Sequence, residues 1–244
     1  MKRLILTLAV AVLTPALASA QSSGNFSYGT NADQMTGCVM DSGGNISGGL
    51  TCEMSCTIDA NGNSTCTQQS GTCIGNAKAG IKTSSGSGNI FVVRPSAVIG
   101  LLTDVTVSSN QKGSSTGAVS SSALAGANFS VTVTGPGTPK VIPNYPLTYD
   151  SRYVQVSTNL FQALATQCLA ITGGCFITFN ESTVSAHSFD WLVTNLQSGT
   201  YGITVNWAAT LGGSGISQSL TCVGPVNMTV QQNKVFSFNT INSF

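Results

Sequence analysis

Charge is what this chain has least of. Lys, Arg, Asp and Glu together make up 7% of its 244 residues, against roughly a quarter in an ordinary globular domain. That leaves no basic stripe for nucleic acid and no polybasic cluster for an anionic membrane surface. Histidine is almost absent: His187 stands alone. A histidine metal cluster is therefore excluded, and any Ser-His-Asp triad has a single candidate base. Glutamate occurs twice, as Glu53 and Glu181. Of the six aspartates, Asp33, Asp41, Asp59 and Asp150 sit beside turn residues, where such side chains cap backbone amides. A carboxylate pair for glycoside hydrolysis has few places to come from. The Gly-x-Ser-x-Gly pattern occurs once, at Gly113–Gly117 (GSSTG), inside a Ser/Gly/Ala-rich stretch and not at a strand-to-helix turn. After residue 20, no apolar run approaches the ~20 residues a membrane helix needs. The segment Asn239–Phe244 carries no sortase or lipid-attachment pattern, and Cys38 lies too far from residue 20 to be a lipobox cysteine.

Hydroxyls stand where the charges are missing, with 61 residues Ser or Thr. Thr and Val suit a pleated surface, while Ser, Gly and Asn suit turns, so the composition points to an exported β-protein. Residues 1–20 agree with that. Met1-Lys2-Arg3 is a basic n-region, Leu4–Leu17 an apolar core, and Ala18-Ser19-Ala20 a small-x-small cleavage site. The expectation is a secretory signal peptide at 1–20. Its removal leaves seven basic residues against eight acidic ones. The expected destination is extracellular or the cell surface, with the periplasm also compatible.

All eight cysteines, Cys38, Cys52, Cys56, Cys66, Cys73, Cys168, Cys175 and Cys222, follow the cleavage site, so disulfides are expected. Five lie in residues 21–87, a Cys-rich segment too poor in large apolar side chains to hold itself together unaided. It ends in Lys82–Asn89 (KTSSGSGN), which reads as a linker. The Asn61-Gly62 pair marks a hairpin turn that sets Cys56 nearly opposite Cys66. Three cysteines remain in 88–244. Both counts are odd, so complete pairing within one chain requires at least one bridge between the two parts. Cys168 with Cys175 is the easiest local pair, which would send Cys222 back to the N-terminal part. The other reading of Cys52, Cys56, Cys66 and Cys73, four zinc thiolates, suits an exported chain poorly.

Residues 88–244 alternate apolar and polar at period two. Tyr201, Ile203, Val205 and Trp207 share one face, as do Phe129, Val131 and Val133, and Val226, Met228 and Val230. Phe189, Trp191 and Val193 read as one more such strand, opened by His187. The pattern predicts an all-β, antiparallel sandwich. The Ser/Gly/Ala-rich stretch from Asn110 to Asn128 reads as a long loop. Leu160, Phe161, Leu164, Cys168 and Leu169 recur at helical spacing between Ser157-Thr158-Asn159 and Gly173-Gly174, predicting one short helix. Between two strands, Leu196-Gln197-Ser198-Gly199-Thr200-Tyr201 resembles the tyrosine-corner turn of immunoglobulin-like and fibronectin-type domains. The resemblance implies an immunoglobulin-like sandwich, with the Tyr201 hydroxyl returning to nearby backbone. Ile203 stands where antibody domains place a cysteine, which removes any inference of immune-type recognition.

None of the candidate sites acquires a catalytic motif. Ser188 and Asp190 fall on the opposite face from His187. Asp59-Ala60-Asn61-Gly62-Asn63 begins like a calcium loop, but its glycine is at position 4 and no Glu closes it. Trp191 and Trp207 are on the inward parity. Tyr145, Tyr149 and Tyr153, in the irregular stretch IPNYPLTYDSRY, are the residues that could form a ligand surface. Six Asn-x-Ser/Thr sequons are about what this Asn and Ser/Thr content gives by chance. The expectation is an exported, non-enzymatic structural or adhesive protein. It has no catalytic residue, metal or cofactor, and its partner is a glycan or a cell-surface protein. A carbohydrate-binding module is the alternative, and an extracellular hydrolase of unrecognised type the more distant one.

Overall fold

The computed structural model describes residues 25–31, 36–83, 88–109, 120–160, 168, 172 and 174–234. Residues 1–20 and most of the expected helix lie outside them. Fourteen strands follow in chain order. The first six are β1 (Phe26–Thr30), β2 (Val39–Met40), β3 (Ile46–Ser47), β4 (Leu50–Ile58), β5 (Ser64–Gly71) and β6 (Ile74–Thr83). Next come β7 (Asn89–Ser108), β8 (Ser120–Thr134), β9 (Lys140–Ile142) and β10 (Leu147–Ser157). The last are β11 (Phe176–Ser188), β12 (Trp191–Thr194), β13 (Gly199–Ser214) and β14 (Ile216–Lys234). Among the described residues no helix is long and apolar enough to cross a membrane.

The strands form two large antiparallel sheets, an arrangement compatible with a β-sandwich. One runs β5-β4-β14-β7-β12-β9, with β1 also on β14 and β11 also on β7. The other runs β10-β8-β13-β6. One apolar core lies between them. The first sheet contributes Phe91, Val93, Ile99, Leu101, Trp191 and Met228, and the second Phe129, Tyr201, Ile203, Val205 and Trp207. Period-two alternation produces most of this, since the strands turn their apolar residues one way and most of their Thr, Asn and Ser residues the other, Thr103, Ser219 and Thr221 being buried as well.

Strands of the Cys-rich segment enter both sheets: β4 and β1 pair with β14, while β6 pairs with β13 over Ile74–Thr83. Four disulfides close among the described residues, Cys38–Cys222, Cys52–Cys73, Cys56–Cys66 and Cys168–Cys175, with no free cysteine. The four sulfurs of the zinc reading are thus taken up in disulfides. Cys56 faces Cys66 across the Asn61-Gly62 hairpin. Cys38 ties the β2–β3 hairpin to the outer face of the first sheet, where Ile46, Leu102 and Cys222 form a separate apolar cluster. That cover explains why Ile99–Thr103 in β7 is buried on both faces.

The two longest strands change partners at prolines. β14 pairs with β4 up to Val223 and with β1 from Asn227, and the bulge between holds Pro225. β7 pairs with β12 up to Val93 and with β11 from Ser96, with Pro95 in the gap. A residue without an N–H fits where the ladder is interrupted.

Three sequence expectations change. Residues 120–128 are strand, not loop: Ala123, Ala125 and Ala127 are fully buried in β8. Small side chains there allow close approach of the sheets, so close that Gly126 and Thr221 exchange two hydrogen bonds, N–H to Oγ1 and Oγ1–H to carbonyl, each 3.1 Å. Phe189 is not part of an inward row. It lies in the break between β11 and β12, 47% exposed, because Asp190 is drawn outward into a bidentate pair with Arg94 at 2.6 and 2.7 Å. His187 accordingly lies at the C-terminal end of β11, one residue before its last, rather than opening a strand. As for the expected helix, 158–160 form one tight turn, and 161–167, 169–171 and 173 lie outside the described residues.

Candidate functional site

Two places gather polar side chains with an organised geometry. The first is the seam where β10, an edge of one sheet, faces β11, an edge of the other. His187 and Ser185 are two apart on β11 and so share a face. The Ser185 hydroxyl donates to Asp150 Oδ2 on β10 at 3.0 Å and lies 2.6 Å from His187 Nε2. Asp150 Oδ2 itself is 3.3 Å from that same Nε2. Two residues further along each strand, Arg152 donates to Thr183 Oγ1 at 3.0 Å and lies 3.7 Å from Glu181.

These residue types are those of a hydrolytic triad, and the expected non-partners, Ser188 and Asp190, are replaced by Ser185 and Asp150. The geometry differs from a triad in one decisive respect. A catalytic histidine bridges, with one ring nitrogen on the carboxylate and the other on the nucleophile. Here serine and aspartate crowd a single nitrogen. Hydroxyl, carboxylate and ring nitrogen therefore form one three-way contact, in which the ring tautomer sets whether Ser185 Oγ or His187 Nε2 donates. The arrangement can lock the two sheet edges together.

Beside it opens a cleft of about 180 Å³ lined by Leu147, Thr148, Tyr149, His187, Ser188 and Phe189. Tyr149 closes its floor. Its ring stacks on Phe129 at 4.0 Å and on Trp191 at 6.1 Å, and its hydroxyl donates to the Pro95 carbonyl at 3.0 Å. Burial pushes its phenol upward from the ordinary tyrosine value. Tyr145 and Tyr153 are exposed, Tyr153 donating to Gln155 Oε1 at 3.2 Å. Of the three tyrosines, two are on the surface and Tyr149 is built into the inter-sheet packing.

The second place is a cleft of about 450 Å³ on the outer face of the β10-β8-β13-β6 sheet, lined by Ile74, Gly75, Asn76, Asn128, Ser130, Pro146, Asn206, Trp207 and Ala208. Strand register builds it. Asn206 of β13 lies between Asn76 of β6 and Ser130 of β8, and Ala208 between Ile74 and Asn128. Trp207 is nearly buried and faces the core, yet its register partner is Gly75. A Cβ at that position would overlap the indole ring. Glycine therefore lets the edge of a core residue reach the floor of an outer cleft. Sequence parity identifies Ser130 and Asn206 as outward, whereas Asn128 ends the stretch that reads as a loop and Asn76 lies in the Cys-rich segment with no strand pattern read there. Their assembly into one site needs the pairing of β6 with β13, for which the sequence carries no local signal.

The calcium-like loop takes another role. Asp59 Oδ1 accepts from the N–H groups of Asn61 and Asn63 at 2.9 and 2.8 Å, and Oδ2 from the Asn63 amide at 3.2 Å. Asp41 closes the β2–β3 hairpin in the same way through Gly43 and Asn45. These bonds hold both carboxyls below the usual range. The Asn45 side chain leads for Asp41, and the Asn63 backbone N–H for Asp59. Both oxygens of each carboxylate are occupied by protein donors. Among the described residues no group of three or more His, Cys, Asp or Glu side chains is placed to hold a metal ion. No protein-family model, curated protein or solved structure matches this chain.

Proposed function

We propose that this chain is an exported, non-enzymatic β-sandwich protein of immunoglobulin-like type, serving a structural or adhesive role at the cell surface or outside the cell. The observation that carries the reading is the set of four disulfides with no free cysteine among the described residues, a pattern that forms and persists in an oxidising compartment. The apolar core and signal-like residues 1–20 support export of a folded, self-sufficient unit. The non-enzymatic part draws support from His187, whose Nε2 faces both Ser185 and Asp150. The immunoglobulin-like part draws support from Tyr201, whose hydroxyl accepts from Gln197 N–H at 2.7 Å and lies 2.9 Å from the Gln197 carbonyl. Those are the contacts expected of a tyrosine corner.

The test has two arms. N-terminal sequencing of the protein recovered outside the producing cell should begin at Gln21. Cells lacking the chain should lose attachment to surfaces or to one another, and purified protein should restore it. Recovery only from the cytoplasm with residues 1–20 intact refutes export, and unchanged attachment refutes adhesion.

A further inference from the structure

We propose that the outer cleft between β6, β8 and β13 is a binding site for a neutral glycan, a short uncharged oligosaccharide. This assignment names a ligand for the adhesive reading and rests on it for the setting in which such a glycan is met. Size comes first: about 450 Å³ falls within the roughly 300–1,000 Å³ of small-ligand sites. The chemistry of the lining selects the class. None of its nine residues is Lys, Arg, Asp, Glu or His, so nothing there compensates a phosphate, sulfate, carboxylate or ammonium group. A charged ligand would be desolvated without a partner.

What the cleft offers is amides and a hydroxyl. Asn76, Asn128 and Asn206 each carry both a donor and an acceptor, the combination that matches the dual character of a sugar hydroxyl. Their hydrogen-bonding capacity is largely unused. Asn128 gives its Nδ2 to Thr210 at 3.0 Å, and Asn206 makes one long bond of 3.4 Å to Thr132. Asn76 and Ser130 make no side-chain hydrogen bond among the described residues. The remaining surface is apolar: Ile74, 70% exposed, with Pro146 and the edge of Trp207. A sugar ring has an equatorial belt of hydroxyls and flat patches of C–H. A polar wall of amides beside an apolar shelf is complementary to both. The polar groups are also spaced by the sheet itself, because Asn76, Asn206 and Ser130 are register neighbours on adjacent strands about 4.8 Å apart. They are therefore held without loop reorganisation, which lowers the ordering cost of binding.

The experiment screens the mature protein against immobilised neutral oligosaccharides, with sialylated and sulfated ones alongside, and then titrates the best binder calorimetrically. Asn76→Ala combined with Asn206→Ala is the site variant. Both positions lie on the outer face, so the fold is retained, and a superimposable thermal melt checks this. Tyr153→Ala is the control on a different exposed patch. The expected result is selective binding of a neutral glycan, weakened at least about tenfold in the Asn76/Asn206 variant and unchanged by Tyr153→Ala. Three results would each overturn the assignment: no neutral glycan bound, a preference for charged glycans, or loss on Tyr153→Ala but not on the asparagine variant. The adhesive reading is judged separately by the attachment assay. Attachment that persists in the asparagine variant while glycan binding is lost leaves adhesion standing and removes the glycan as its basis.

Discussion

Removing the Cys38–Cys222 bridge should cost this protein far more than removing Cys168–Cys175, although each is one covalent bond. The two differ in the loop they close, with sequence separations of 184 and 7. A cross-link stabilises chiefly by withholding conformations from the unfolded chain, and the effect grows with the logarithm of loop length. With these separations the chain-entropy relation gives about 5 kcal/mol for the first bridge and about 2.5 kcal/mol for the second. The perturbation is a paired Cys→Ala change at each bridge, which keeps the buried positions apolar. Cys222 and Cys168 are 0% and 4% exposed, so serine would add a buried hydroxyl and confuse the comparison. Equilibrium urea unfolding of the two variants and the parent, at equal m-values, reads the difference. The Cys38/Cys222 variant should have much the lower midpoint. Its β2–β3 hairpin, left with the packing of Ile46 on Leu102 and the contact of Met40 with Ser182, should be the first segment to exchange amide protons. Equal losses in the two variants, or a larger loss for Cys168/Cys175, would refute the loop-entropy reasoning.

Three further outcomes are expected. Tyr201→Phe should destabilise by about 0.5–1.5 kcal/mol in urea unfolding, because the Gln197 N–H loses its acceptor while no cavity forms; an unchanged midpoint would show that this turn contributes no net stability. The Asp59 and Asp41 carboxyls should titrate below their ordinary 3.8 in an NMR pH series. Because the folded value is depressed, their stabilisation of the two hairpin turns is present above that ordinary value and lost as pH falls through the folded one, so titration at or above 3.8 would contradict the hydrogen-bond assignment. His187→Ala should leave any activity found for the mature protein within a few-fold of the parent, whereas a loss of roughly 10²–10⁴-fold would mark a general base and overturn the non-enzymatic reading.

Much of the fold was legible because its information is local. The alternation at Tyr201–Trp207 survives as the inward face of β13, and the Asn61-Gly62 turn brought Cys56 to Cys66. The parity of the cysteine counts required a long-range bridge, and Cys38–Cys222 supplies it. What could not be read depends on distant partners. Residues 120–128 look like a loop by composition, yet in β8 their alanines are the small side chains that let the sheets close to hydrogen-bonding distance. Phe189 carries the right parity for the core, but Arg94, nearly a hundred residues away, holds Asp190 outward and breaks the strand there. The His187 cluster needs two sheet edges to meet, and the outer cleft needs Gly75 to fall opposite Trp207. Neither register is written in any single stretch of chain.

The Cys38–Cys222 bridge also decides how the molecule bears load. β1 and β14 run antiparallel, with Phe26 beside Gln231, so tension applied across residues 25 and 234 peels that pair apart one rung at a time. Peeling ends at the bridge, where force passes from Cys38 to Cys222 through sulfur and leaves the intervening chain untouched. The separation of 184 residues corresponds to about 600 Å of extended chain that a pull cannot release while the bond is oxidised. Under traction the protein is therefore a short, stiff tether, and reduction would turn it into a long, compliant one.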